Sequence, residues 1–591
     1  LLKSWFFVEL SLMVFRFGFL LACACLLLGS LCVANEARSP IGNKVADFTL
    51  DNCYGKPVSL ADFDDRKAIA IVFLGTECPL AKLYGRRLAE LQTKYEAQGV
   101  VVLGINSNTQ DSLTELVAYG HRYGVNFPLL KDVGNRVADA IGAERTPEVF
   151  LLDADRIVRY HGRIDDQYGV GYSRERTVHP DLAVAIDQLL AGESISVPQT
   201  EVVGCHIGRV QASNPTGEIT YSEHIAAIFN ARCVRCHREQ EIAPFALQRY
   251  EDILGWEDTI LEVIDDGRMP PWFADPSHGK FANDARLTDR EKQLIATWVE
   301  NGMPQGDPEL LPEPPQFTTG WQIPEPDQVI KMREKPFRVP SEGVVDYQRF
   351  VVDPGWKEDK YIYAAEARPD NRSVVHHILV YVIPPGERGV DLRKVLVGYA
   401  PGGVPISLDD GVALHVEANS KLLFEMHYTP NGYATDDLSY AGVCFVDKSK
   451  VKKLLRGRIA INHEFEIPPN ASNHEVLAQY FVKRDEMLVS MTPHMHLRGK
   501  AYRYEARYPD GTRETLLDIP HYDFNWQLKY VLDQPKRLPR GTVIECTAVY
   551  DNSERNLANP DPTRTVRWGD QSWNEMMIGF MDTLPIENDL P

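Results

Sequence analysis

Cysteine is scarce in this chain: ten among 591 residues, three of which (Cys23, Cys25 and Cys32) fall in one N-terminal apolar run. The seven that remain are an odd number, and too few to staple a chain of this length, which excludes a disulfide scaffold. A basic excess is lacking too. Lys and Arg number 63 against 83 Asp and Glu, for a net charge of −20. No cationic footprint is therefore present for nucleic acid or an anionic membrane. No tandem repeat of fixed period occurs, and no Met stands at position 1. Apolar residues (44%) and charged residues (25%) are present in ordinary globular proportion, which excludes wholesale disorder. The length predicts three or four domains.

Residues 17–34 (FGFLLACACLLLGSLCVA) follow Arg16 and end on the small Ala34. A positive charge, a short apolar core and a small residue predict a secretory signal over 1–34, with Met13 as an alternative start. The other reading is an uncleaved membrane anchor, the one membrane contact expected. Export, to the periplasm or the extracellular space, permits covalent haem and disulfides.

Four kinds of pattern follow one another. Over 38–200, strand signals (67–75, 99–106, 146–153) alternate with a helix carrying Leu80, Leu83, Leu88, Leu91 and Tyr95, which predicts an α/β layer. Residues 215–308 read as all helix, with a capping box at Thr288 and Glu291 and a stop at Gly302. Residues 309–340 are dense in proline and read as a linker. Beyond 341, short apolar runs broken by Pro, Gly, Asn and Asp predict two β-sandwiches, 341–465 and 466–591.

Cys78 lies in FLGTECPLAKLY, after a predicted strand and at a helix start, where the helix dipole favours thiolate. This stretch resembles the redoxin branch of the thioredoxin-like superfamily, near the alkyl hydroperoxide reductase and thiol-specific antioxidant proteins. The resemblance implies that Cys78 attacks and that Thr146-Pro147 forms the cis-proline loop facing it. A C-x-x-C partner would stand at 81, where this chain has Ala81. Cys205 is then the candidate resolving thiol, with Cys53 the other.

The run CVRCH (233–237) has the spacing that lets Cys233 and Cys236 bond a porphyrin while His237 ligates its iron; in an exported chain it predicts haem c. The region resembles small class I cytochromes c. That resemblance implies a methionine ligand, for which Met269 in DGRMPPWF is the best match and Met303 and His278 are the alternatives.

Histidines cluster in the last 250 or so residues, in strand-like runs: His376-His377, His427, then His494 and His496. Met576 follows in WNEMMIGF. Imidazole with thioether suits copper. His494 and His496, at i and i+2, point the same way from a strand. His376 and His377 do so only if their strand bulges or ends. The order of these motifs resembles the type II copper, ascorbate-dependent monooxygenases, such as peptidylglycine alpha-hydroxylating monooxygenase and dopamine beta-monooxygenase. The resemblance implies two coppers per chain: an electron-transferring site at His376, His377 and His427, and an oxygen-activating site at His494, His496 and Met576. Thr492 and Phe580 replace residues that hold a peptide substrate in that family. His415, His463, His474 and His521 match no ligand position.

The expected whole is an exported multidomain oxidoreductase. Its copper region would hydroxylate a C–H bond of a small-molecule or peptide substrate, using O2 and an external reductant (ascorbate or an electron-transfer protein). The alternatives are a copper and haem electron carrier without hydroxylase activity, and a redoxin-type peroxidase or thiol oxidoreductase on a metal-binding scaffold.

Overall fold

The computed structural model describes residues 39–210, 217–239, 241–317 and 320–587. The apolar run 17–34 and the alternative start at Met13 lie outside them. No helix among the described residues is long and apolar enough to cross a membrane.

The first region is a seven-stranded mixed sheet in the order Pro57–Ser59, Thr49–Asn52, Leu129–Lys131, Val100–Asn106, Ala68–Phe73, Glu148–Asp153, Val158–Gly162. Ala68–Phe73 is apolar throughout because both faces of the sheet are covered. Ala68, Ala70 and Val72 pack under helices Pro79–Tyr95, Leu113–Tyr123 and Asp181–Leu190, while Ile69, Ile71 and Phe73 pack against helix Arg136–Ile141. The buried stripe of Pro79–Tyr95 is displaced from the expected one. Ala81, Tyr84, Leu88, Ala89 and Tyr95 are buried, and Leu80, Leu83 and Leu91 only partly. The region also runs past 200. Strand Cys205–His206 pairs with Arg145–Thr146, and Ile207 enters the core.

The second region holds helices Ala226–Arg232, Tyr250–Ile253, Glu257–Asp265 and Asp289–Glu300. Thr288 and Glu291 form the capping box of the last, Ile295 and Trp298 are its buried face, and Gly302 (φ 79°) ends it. The all-helical expectation needs one correction. After Pro270 and Pro271, which stop helix formation, an arm leaves the helices and lays Trp272, Ala274 and Phe281 into the core of the last sandwich. Backbone bonds from Ala282 N–H to the Val531 carbonyl and from Asp533 N–H to the Lys280 carbonyl, both 2.9 Å, hold it there.

The β-rich remainder is two pairs of sheets. In the first, strands Gln348–Val352, Lys421–Tyr428, Val375–Ile383 and Val395–Tyr399 share a core with a sheet centred on Lys360–Arg368 and Tyr440–Phe445. In the second, Arg456–Ile461, Ile578–Pro585, Glu486–His494 and Tyr530–Leu538 share a core with His474–Phe481, Val543–Tyr550, Gly499–Arg507 and Arg513–Ile519. Two expected boundaries shift. The proline-rich stretch 309–340 already contains strands Gln328–Lys331 and Phe337–Val339, which pair with Tyr440–Phe445 and Thr435–Asp437. Pro326, Pro336 and Pro340 stand just outside these strands, where no ladder donor is needed. The second sandwich begins at Arg456 rather than 466, because Arg456–Ile461 pairs with Ile578–Pro585.

Candidate functional site

Cys78 caps helix Pro79–Tyr95 and is fully buried. Its Sγ lies 3.0 Å from the Thr146 carbonyl, on the loop that carries the cis Thr146-Pro147 bond. Strand pairing puts Cys205 opposite Thr146, so the two thiols meet. Burial opposes ionisation of Cys78. The neighbouring Cys205 thiol and the backbone of Ala81 and Cys205 outweigh it and push Cys78 down to about 6. Cys205 moves the opposite way, well above the ordinary thiol value, because it donates to Cys78 and is itself desolvated. Cys53 sits in the hairpin turn after Thr49–Asn52, and burial pushes it up.

Next to Cys205, His206 Nε2 lies 2.6 Å from Glu262 on helix Glu257–Asp265, and Arg145 Nη2 lies 2.7 Å from the same carboxylate. Arg268 reaches its other oxygen at 2.5 Å. Partial burial would raise Glu262, but these partners hold it down to about 2. This charged knot joins the redoxin-like region to the helical one, and its only sequence signal was the proximity of His206 to Cys205.

Cys233 ends helix Ala226–Arg232, and Cys236 and His237 follow in a tight turn. Burial pushes Cys233 up to about 12 and raises Cys236. His237 Nδ1 lies 3.1 Å from the Phe245 carbonyl, to which it donates, so Nε2 is the free nitrogen. Burial lowers its pKa and keeps the ring neutral. Two thiols beside a neutral imidazole with one engaged nitrogen fit a c-type haem. Met269 is half-buried just beyond helix Glu257–Asp265, its N–H bonded to the Val263 carbonyl at 2.9 Å. Of the alternatives, Met303 lies fully buried in the helical core. His278 rides on the arm that joins the last sandwich, its N–H bonded to Asp275, whose own N–H bonds Asp518.

His376, His377 and His427 converge. Strands Val375–Ile383 and Lys421–Tyr428 pair His377 with His427, and the register shifts between Val375 and His377. That shift lets consecutive histidines face one point. His377 Nδ1 lies 3.2 Å from His376 Nδ1 and 3.3 Å from His427 Nδ1. All three are set so that a ligand atom of each lies within 4.8 Å of the others, and no other such His, Cys or carboxylate group occurs among the described residues. Burial lowers His376 to about 4 and puts His377 and His427 well below the ordinary histidine value. Three neutral imidazoles crowding their nitrogens together, with no carboxylate, are a donor set suited to a soft or borderline cation.

His494 ends strand Glu486–His494, and its Nδ1 lies 2.9 Å from Gln527 Oε1. His496 Nδ1 lies 3.3 Å from the Asn574 carbonyl. Each ring thus donates through Nδ1 and leaves Nε2 free, the second-sphere arrangement that fixes a metal-binding tautomer. The ladder ends by pairing His494 with Ile578, two residues after Met576. Glu575, fully buried and pushed up to about 7 by burial, accepts the N–H groups of His496 (2.8 Å) and Arg498 (2.6 Å).

One aromatic layer separates the two imidazole groups. The Phe524 ring centre lies 5.8 Å from that of His427 and 5.9 Å from that of His496. Tyr347 lies 4.9 Å from His427 and 6.4 Å from His496. The Tyr347 hydroxyl is buried and finds no hydrogen-bond partner among the described residues. A cavity of about 520 Å³ opens on both His377 and His494, with Thr492 and Phe580 in its wall. Gln527, Asn574, Glu575, Tyr347 and Phe524 carried no spacing signal, since they sit in loops or on the facing sandwich.

Residues 41–161 match the AhpC/TSA family. The first region is a redoxin domain. It is 27% identical over 129 residues to the thiol-disulfide oxidoreductase ResA of Halalkalibacterium halodurans, covering 22% of this chain and 72% of that one. With ResA of Bacillus subtilis it shares 28% over 114 residues, 19% of this chain and 62% of that one. Among solved structures, the hypothetical protein SMc02350 of Sinorhizobium meliloti is 35% identical, covering 29% of this chain and 96% of that one, with a TM-score of 0.28. The redoxin domain thus carries a thiol oxidoreductase fold, with Cys205 beyond the residues 41–161 that match the family.

Proposed function

We propose that the chain is an exported, copper-dependent monooxygenase that hydroxylates a C–H bond, with the redoxin domain and a c-type haem region attached. The observation that carries this reading is the convergence of the buried His377 and His427 with the partly buried His376, three imidazoles whose nitrogens crowd to 3.2 and 3.3 Å. These three would hold one copper, and His494, His496 and Met576 a second. When bound, copper supplies one-electron redox chemistry and activation of O2 for insertion of one oxygen atom.

The chain's own residues do the rest. Gln527 and Asn574 hold His494 and His496 in one tautomer. Tyr347 and Phe524 fill the space between the two groups with rings rather than water. The cavity gives a substrate a path to both groups; Thr492 and Phe580 offer it no charge, while Arg393, Lys394, Arg456, Arg458 and Lys529 also line it. The C-x-x-C-H turn is joined to the first sandwich by an ion pair from Glu241 to Arg372 and by Arg235 Nη2, 3.3 Å from the Gly403 carbonyl. Arg372 stands three residues before Val375–Ile383, the strand that bears His376 and His377. Electrons entering from haem at His237, or from ascorbate or an electron-transfer protein, would therefore reach the three-histidine group first.

Copper counting tests this. The parent is expected to bind two coppers per chain and His427→Ala one. X-ray absorption of the reduced, copper-loaded parent is expected to show a sulfur scatterer that Met576→Ile lacks. A parent that binds no copper refutes the reading and leaves a redoxin-type thiol oxidoreductase on an inert scaffold.

A further inference from the structure

Cys78 and Cys205 come from separate segments, and only the first lies in the part that matches a redoxin family. Three features bring them together. Strand Cys205–His206 lies antiparallel to Arg145–Thr146, with Cys205 opposite Thr146. Gly204, at φ 153°, lets this strand approach so closely that any side chain there would collide with the Thr146 carbonyl. Ile207, Gly208 and Val210 then continue along the redoxin domain through Glu144, Asn108 and Asn135. The result is two adjoining thiols in one packed cluster, with Cys78 wholly enclosed and Cys205 half-buried over it. The Thr146 hydroxyl is buried and makes no hydrogen bond among the described residues.

We propose that Cys78 and Cys205 are a single dithiol–disulfide centre, built across the junction of the redoxin and helical regions, that takes the place of a C-x-x-C pair. Its oxidised form ties the segment entering the helical region to the redoxin domain. The enclosure of Cys78 restricts the first oxidant to a small molecule, and a hydroperoxide supplies the balance. The Cys78 thiolate attacks the outer peroxide oxygen, the O–O bond breaks, and the alcohol (or water) leaves after taking a proton. Cys78 is then a sulfenic acid, oxidised by two electrons. The Cys205 sulfur attacks the Cys78 sulfur, the S–O bond breaks, and the Cys205 proton leaves with hydroxide as water. Two thiols and one hydroperoxide thus become one disulfide, one alcohol and one water. A dithiol donor returns the pair to its starting state through thiol–disulfide exchange. Because His206 and Arg145 flank the two sulfurs and both bind Glu262, the covalent tie forms directly beneath the contact that docks the helical region.

The test uses the full chain, reduced and then treated with one equivalent of hydrogen peroxide. Free thiols are alkylated and peptides mapped by mass spectrometry. The parent is expected to lose two thiols per peroxide and to yield a Cys78–Cys205 linked peptide. Cys205→Ser is expected to lose one thiol and to leave Cys78 as a sulfenic acid trapped by a 1,3-dione. Cys53→Ser is expected to behave as the parent, which separates the two candidate partners. A parent disulfide that links other cysteines, or a Cys205→Ser chain that still loses two thiols per peroxide, overturns the assignment. Should Cys205→Ser fail to fold, the linked peptide in the parent and its persistence in Cys53→Ser decide the matter.

Discussion

Replacing His376 by Gln in the metal-free protein relieves an acid sensitivity whose size follows from burial. Desolvation lowers the folded pKa of His376 from 6.5 to about 4, with only a hydrogen bond to Asn525 opposing the shift. Between those values the unfolded chain takes up a proton at this residue and the folded chain does not. Stability therefore falls as the pH falls through this window. From pH 7.5 to 4.5 about two pH units lie inside it, each worth about 1.4 kcal/mol, so His376 costs the parent about 2.5–3 kcal/mol. Glu575 is common to both chains and cancels in the difference, and because a charge on His376 also opposes protonation of His377 and His427, its removal shifts those two in the same direction. His376→Gln is thus expected to gain about 2.5–3 kcal/mol on the parent over this range, whatever its stability at pH 7.5. Denaturant-dependent hydrogen exchange, read on peptides from strands Val375–Ile383 and Lys421–Tyr428 with chelator present, measures it locally and avoids assuming two-state unfolding of several domains. A parent-to-variant difference that stays constant between pH 7.5 and 4.5 would refute the picture of His376 as a desolvated neutral imidazole.

Gly204→Ala is expected to destabilise the redoxin domain by about 2 kcal/mol or more, since a Cβ meets the Thr146 carbonyl at a φ of 153° that alanine rarely adopts; the melting temperature and the yield of Cys78–Cys205 disulfide should fall together. Co-expression with a cytochrome c maturation system is expected to give haem that survives acid-acetone extraction, and replacing both Cys233 and Cys236 by Ala should make it extractable. Met269→Ala in that haem-loaded protein should lower the reduction potential, because a thioether favours ferrous iron; an unchanged potential would remove Met269 as the ligand.

Some of the molecule could be read directly from the chain. The apolar strand cores Ala68–Phe73 and Val100–Asn106, the capping box at Thr288 and Glu291, the Cys233-x-x-Cys236-His237 turn and the i, i+2 spacing of His494 and His496 are all local. Each depends on a window of a few residues, in which periodicity and backbone geometry decide which way side chains point. The redoxin domain was legible for the same reason: a buried strand running into a helix that starts at Cys78 is a local arrangement.

What lies between windows was settled by tertiary structure. His377 meets His427 through strand register, and His376 joins them only because the ladder shifts by a residue after Val375. Cys205 reaches Cys78 through a two-residue strand that no hydrophobic pattern marks, made feasible by a glycine. The arm from Trp272 to Phe281 abandons the helical region because another domain's core offers its aromatic side chains burial. Gln527 and Asn574, which orient the paired histidines, are loop residues of unremarkable type. In each case the deciding contact joins residues far apart in the chain. Its free energy comes from burial and pairing that exist only once the sheets have packed, so no short stretch of sequence records it.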